Sequence, residues 1–112
     1  MHTHSRPSFA ALDRMMDALA LLPPIVAAIH AKDRNLADQI RRAASSVALN
    51  LAESQASRDG NARLRFRTAY GSLSETRTAL QVARVWRYIG ETRELDVLLD
   101  RVGAMVWRLT GR

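Results

Sequence analysis

Seven arginines against two acids lie between Arg58 and Arg87, so +5 of the chain's net charge of +6 falls in this one stretch. Within it, Arg63, Arg67 and Arg77 share one side of a helix at about 100° per residue. Such a stripe suits phosphates, because a guanidinium holds an oxyanion through two parallel N–H donors. Phosphate neutralisation needs charge and geometry but no reading of base edges, so the stripe predicts binding of RNA or DNA without sequence preference. Aromatic residues interleave poorly along it, which argues against recognition of single strands by stacking. The competing reading is a solvated face whose arginines shield apolar stems and pair with acids on neighbouring helices. Of the 17 basic residues, 16 are arginine, a bias that codon composition accounts for as readily as a polyanionic ligand does.

Other chemistries lack their residues. Without cysteine, disulfides, thiolate zinc sites and cysteine nucleophiles are excluded. Glu53 and Glu75 are not set in a Glu-x-x-His spacing, so a di-metal bundle has no ligand set. His2 and His4 alternate in a terminal segment, residues 1–7, that is expected to be disordered. No nucleophile–base motif surrounds the serines, and no glycine-rich loop offers a phosphate cradle. The expectation is a protein that is not an enzyme, with no catalytic, metal or cofactor site.

The elements that must position the arginines are helical. The 112 residues suffice for one domain with a single core. Leu12, Met15, Met16, Leu19, Leu22, Val26 and Ile29 keep one face through Pro23-Pro24, predicting one helix over about Ser8–Ala31, kinked at the prolines, with a full break as the alternative. Asp33-Arg34-Asn35 reads as a turn. A second helix follows over Leu36–Ala56, with Asp59, Gly60 and Asn61 supplying stop and start chemistry. The third is predicted over Ala62–Ile89 and stopped by Gly90. Leu95, Leu98, Val102, Met105 and Leu109 then mark the fourth. Short connections and the absence of strand signals predict an all-α, antiparallel up-down-up-down four-helix bundle. The longest apolar run, Ala18–Ile29, falls short of the ~20 residues of a membrane span. Met1–Pro7 lacks the pattern of a secretory signal, so a cytoplasmic protein is expected.

The third helix carries two apolar faces. Phe66, Ala69, Leu73 and Leu80 project along one side, and Leu64, Val82, Trp86 and Ile89, with Gly71 among them, project from the other. One helix of a bundle buries one broad stripe, so the second predicts a homo-oligomer contact.

Two segments combine small and polar residues where large apolar ones are usual: Gln39–Glu53, and Gly71-Ser72-Leu73-Ser74-Glu75. Glycine inside a helix costs roughly 1 kcal/mol relative to alanine, and close helix packing is its expected compensation. A hairpin of the second and third helices places Ser46 beside Gly71 and Arg42 beside Glu75. It also brings Asn50 and Glu53 within reach of Arg63 or Arg67. Such polar contacts fix register more than they add stability.

This pair of segments resembles a family of small bacterial four-helix-bundle proteins, noted as reading frames within intervening sequences of large-subunit ribosomal RNA genes and related to the accessory protein of diversity-generating retroelements. The resemblance covers roughly residues 36 to 90, with support from Leu80, Ala83, Tyr88 and Ile89. It departs at Ser54, where the family usually has glycine, and at the proline pair. It implies a homo-oligomer, a ring-like pentamer among the known forms, and a nucleic-acid-processing partner such as a reverse transcriptase. Two expectations follow: an oligomeric basic scaffold that binds nucleic acid or such a partner, or a protein–protein assembly module whose charge is incidental.

Overall fold

Asp33 opens the second helix by accepting the Leu36 N–H on Oδ1 at 3.0 Å, while its carbonyl accepts the Ala37 N–H at 3.1 Å. The side chain thereby satisfies one of the donors that a helix start leaves without partners, and the carbonyl accepts the first intrahelical bond. The computed structural model describes residues 6–56 and 61–111. Its helices are α1 (Pro7–His30), α2 (Arg34–Ala56), α3 (Asn61–Val85) and α4 (Arg93–Leu109), and no strand occurs among the described residues. The expected all-α fold is the one present. The expected caps Asp59 and Gly60, and the terminal His2 and His4, lie outside the described residues.

Pro7 takes the first helical position of α1, where a missing amide proton costs nothing. The helix then runs through Pro23-Pro24 without a break. An interior proline costs about 3 kcal/mol. On either side of the pair, however, Ala11, Met15, Ala18, Leu22, Val26 and Ile29 are buried. Each large apolar side chain buried in this way contributes ~1.5–3 kcal/mol, so the continuous stripe outweighs the prolines, which face outward.

Each helix packs on its two neighbours, α1 on α2 and α4, and α3 on α2 and α4, while the diagonals barely touch. The directions alternate. Ser8 near the start of α1 meets Gln55 near the end of α2, Ser46 meets Ser72 at the middles of α2 and α3, and Tyr70 in the first half of α3 meets Trp107 near the end of α4. The core is filled by α1's stripe together with Ile40, Val47, Leu51, Leu73, Leu80, Leu95, Leu99, Val102 and Val106. Of the apolar set expected on α4, Leu95 and Val102 are buried, whereas Leu98, Met105 and Leu109 are half-buried against the core.

The end of α3 differs from expectation. The helix stops at Val85, not Ile89, and Gly90 plays no part in stopping it. The Tyr88 N–H bonds to the Ala83 carbonyl and the Arg87 N–H to the Arg84 carbonyl, both at 2.9 Å. This is the Schellman pattern, and the residue it forces into the left-handed region is Arg87, at φ 62°. Glycine normally fills that position because it has no Cβ to clash there.

Candidate nucleic-acid interface

α3 presents two shoulders, one toward α2 and one toward α4, and its arginines divide between them. On the α4 side, Arg77 Nη2 lies 3.4 Å from Asp100 Oδ1 and Arg84 Nη1 lies 3.5 Å from Asp96 Oδ1. Arg84 also donates to Thr92 Oγ1 at 2.8 Å, and Thr92 donates in turn to Asp96 at 3.0 Å. Arg77 reaches Asp100 past Gly103, where a Cβ would stand 3.2 Å from its Nη1.

Arg63 and Arg67 continue along the same shoulder toward the C-terminal end of α4. The Arg63 side chain lies over Gly111, close enough that a Cβ there would meet its Nε at 2.8 Å. Both arginines are exposed, and neither forms an ion pair among the described residues. The expected trio therefore splits, with Arg77 tied to an acid and Arg63 and Arg67 open to solvent.

The register set by Tyr70 and Trp107, whose ring centroids are 5.2 Å apart, brings Arg108 of α4 level with Arg67. Arg108 is also exposed and unpaired among the described residues. Trp107 is 41% exposed, so an aromatic pair adjoins the arginines after all. Sequence reasoning missed Tyr70 and Trp107 because they meet only through packing of α3 on α4, and Arg108 because it lies on another helix at the same end of the bundle. Their signal was the pairing of two antiparallel helices, not any spacing within one.

The imbalance extends to the whole end of the bundle. Among the described residues, Arg6, Arg14, Arg63, Arg65, Arg67 and Arg108 gather in the half that holds the starts of α1 and α3, against Asp13, Asp17 and Glu53, while Arg101 sits at the midpoint of α4. At the opposite end, Lys32 and seven arginines meet seven acids. Among the described residues, positive charge is thus in excess at one end and nearly cancelled at the other.

Residues 17–108 match the model of the 23S rRNA-intervening sequence protein family. The chain belongs to that family. The match takes in all of α2 and α3 and most of α1 and α4, so it extends well beyond the hairpin that carries the signature. No curated protein and no solved structure matches the chain.

The two segments of the family signature meet, but one residue away from the expected contacts. Ser46 Oγ shares a 2.8 Å hydrogen bond with Ser72 Oγ, and Asn50 Nδ2 donates to the Ser46 carbonyl at 2.9 Å and to its Oγ at 3.1 Å. Gly71, expected at this crossing, faces solvent with nothing near its missing Cβ. Consecutive helical residues differ by about 100°, so turning Ser72 into the seam turns Gly71 out of it. For the same reason Arg42 does not pair with Glu75. Gln39, Ser46 and Glu53, at seven-residue spacing, line the α2 seam, and Glu75 accepts from Gln39 Nε2 at 3.5 Å, while Arg42 is exposed. Asn50 and Glu53 meet Arg65, at 3.3 and 3.8 Å, and not Arg63 or Arg67. Arg65 is the arginine on the α2 shoulder. Ser54, at the family's glycine position, is buried and donates to the Leu51 carbonyl at 2.6 Å, so α2 continues past it.

On the outer face of α3, Leu64 is 59% and Trp86 66% exposed, with Val82 and Val85 exposed beside Trp86. Ile89 departs from this set. It lies beyond the end of α3 and is half-buried against the chain's own core, because the turn at Arg87 redirects the backbone. Among the described residues no helix is long and apolar enough to cross a membrane, and no three potential metal-ligating side chains gather.

Proposed function

We propose that the protein is a non-enzymatic, oligomeric basic scaffold that binds the phosphate backbone of RNA or DNA at the end of the bundle bearing Arg63, Arg67 and Arg108. The observation that carries this reading is the charge asymmetry between the two ends, with these three arginines exposed and without acidic partners among the described residues. Arg77, held by Asp100, contributes less. Assembly is the second part of the proposal. Leu64, Val82, Val85 and Trp86 form an uncovered apolar face among the described residues, and Gly71 on that face carries a helical cost that no contact among those residues explains. Close approach of a second copy explains both. A ring-like pentamer is the form that the family resemblance favours, and each copy repeated around it multiplies the basic patch. The resemblance also favours a nucleic-acid-processing protein partner such as a reverse transcriptase. Absence of cysteine suits a cytoplasmic setting.

Fluorescence anisotropy with labelled RNA and DNA of unrelated sequences tests the binding. The expected outcome is similar affinity for all of them, falling steeply with salt. Arg63→Gln/Arg67→Gln/Arg108→Gln should weaken binding and lower the slope of log K against log salt by roughly 0.7–0.9 for each lost phosphate contact. Absence of binding at low salt by the folded oligomer would replace this reading with that of a protein–protein assembly module.

A further inference from the structure

A groove of about 550 Å³ runs between α1 and α2 on the outside of the bundle, within the ~300–1,000 Å³ range of small-molecule sites. Its floor is Leu22, Val26 and Ala44, and Pro23 and Ala27 form its rim. Polar side chains enter it only as Ser45, His30 and Arg41, and no carboxylate lines it.

These groups are arranged by polarity. Ser8 and Gln55 set the antiparallel register of α1 and α2, which places Ala44 and Ser45 near the level of Leu19 and places the start of α2 beside His30. Arg41 reaches back along its own helix to Asp38 Oδ1 at 3.2 Å, so its guanidinium points toward the His30 end. Only one of its five N–H donors is committed there. Lys32, Arg34 and Arg41 outnumber Asp33 and Asp38 at this end, and the first turns of α2 add the positive pole of a helix dipole. From Leu19 to His30 the groove follows about 16 Å of helix at 1.5 Å per residue, apolar along most of that length and cationic at one extremity. The two interior prolines coincide with it. They remove the amide donors that the Leu19 and Ala20 carbonyls would use, and the Pro23 ring itself lines the groove.

We infer that this groove binds an elongated apolar monocarboxylate, its chain along Leu22, Val26 and Ala44 and its carboxylate on Arg41 and His30. The chemistry is complementary at both extremities. An acyl chain displaces water from an apolar floor, and a guanidinium and an imidazole N–H donate charge-assisted hydrogen bonds to the carboxylate. The inference is independent of nucleic-acid binding, which uses the opposite end of the bundle.

Isothermal titration of the full-length oligomer with decanoate, decanol and decyltrimethylammonium tests it. Decanoate is expected to bind once per chain and at least about tenfold more tightly than the other two, the value of one charge-assisted hydrogen bond. Arg41→Gln should weaken decanoate about tenfold and leave decanol unchanged. Ala27→Trp, at an exposed position on the rim, should abolish binding of decanoate while the circular dichroism melt still reports a folded bundle. Equal affinity for decanol would overturn the carboxylate assignment in favour of a purely apolar occupant such as a partner segment. Undiminished decanoate binding by Ala27→Trp would overturn the groove as its site, and no binding by the folded wild-type protein at millimolar decanoate would overturn the proposal entirely.

Discussion

The Arg77 side chain lies against the bare backbone of Gly103, whose absent Cβ would stand 3.2 Å from Nη1 and 3.5 Å from a Leu73 methyl. The glycine gives Arg77 its path to Asp100. An exposed ion pair of this kind is worth little, whereas glycine in a helix interior costs roughly 1 kcal/mol relative to alanine. Gly103→Ala is therefore expected to raise the urea midpoint slightly, because the far end of an arginine shifts easily. Gly103→Leu should overpack against Leu73 and cost ~1–3 kcal/mol. If Gly103→Ala proved strongly destabilising, the Arg77 crossing would be a structural requirement.

Gly71 gives the opposite test. No atom lies within 4 Å of the position its Cβ would take, so Gly71→Ala should stabilise the isolated chain by about 1 kcal/mol. Gly71→Leu should leave the fold intact yet disturb assembly, since the proposed close approach involves another copy. Light scattering of the two variants, read beside their denaturation midpoints, separates these effects. An unchanged oligomer in Gly71→Leu would remove the glycine from the subunit contact.

Arg87 holds a left-handed conformation at φ 62° that costs a non-glycine residue roughly 1–2 kcal/mol. Arg87→Gly should relieve most of this and raise the denaturation midpoint. Gly90→Ala, at a position with open space around it and an ordinary φ, should change it little. A destabilised Arg87→Gly would indicate that the Arg87 side chain supplies more than the turn costs.

Ser46 and Ser72 meet at the most extensive helix contact, so Ser46→Ala and Ser72→Ala should each cost ~1 kcal/mol. Their double variant should fall short of the sum, because both remove the same hydrogen bond. Additive losses would mean that the Ser46–Ser72 hydrogen bond adds nothing beyond the other contacts of each serine.

Periodicity within each segment determined the four helices, their order and most of the core stripe of α1, since apolar spacing at the helical repeat is a local property, though Met16 of the expected face is exposed. The resemblance of Gln39–Glu53 and Gly71–Glu75 to a family with this architecture pointed the same way. Even the proline pair was legible, because Leu22, Val26 and Ile29 keep their face beyond it. Which neighbour each residue meets was not local. A rotation of about 100° between successive residues separates Ser72 from Gly71, and only the simultaneous packing of α2 and α3 selects one for the seam. The same rotational setting gives Asn50 and Glu53 to Arg65, leaves Arg42 in solvent, sends Arg77 to Asp100 and sets Trp107 against Tyr70. The end of α3 depended on its Schellman hydrogen bonds, which placed Arg87 where composition favoured a glycine stop at Gly90. Sequence thus decided which faces are apolar, and tertiary packing decided how those faces turn against one another, because helix rotation is fixed only when two surfaces interlock.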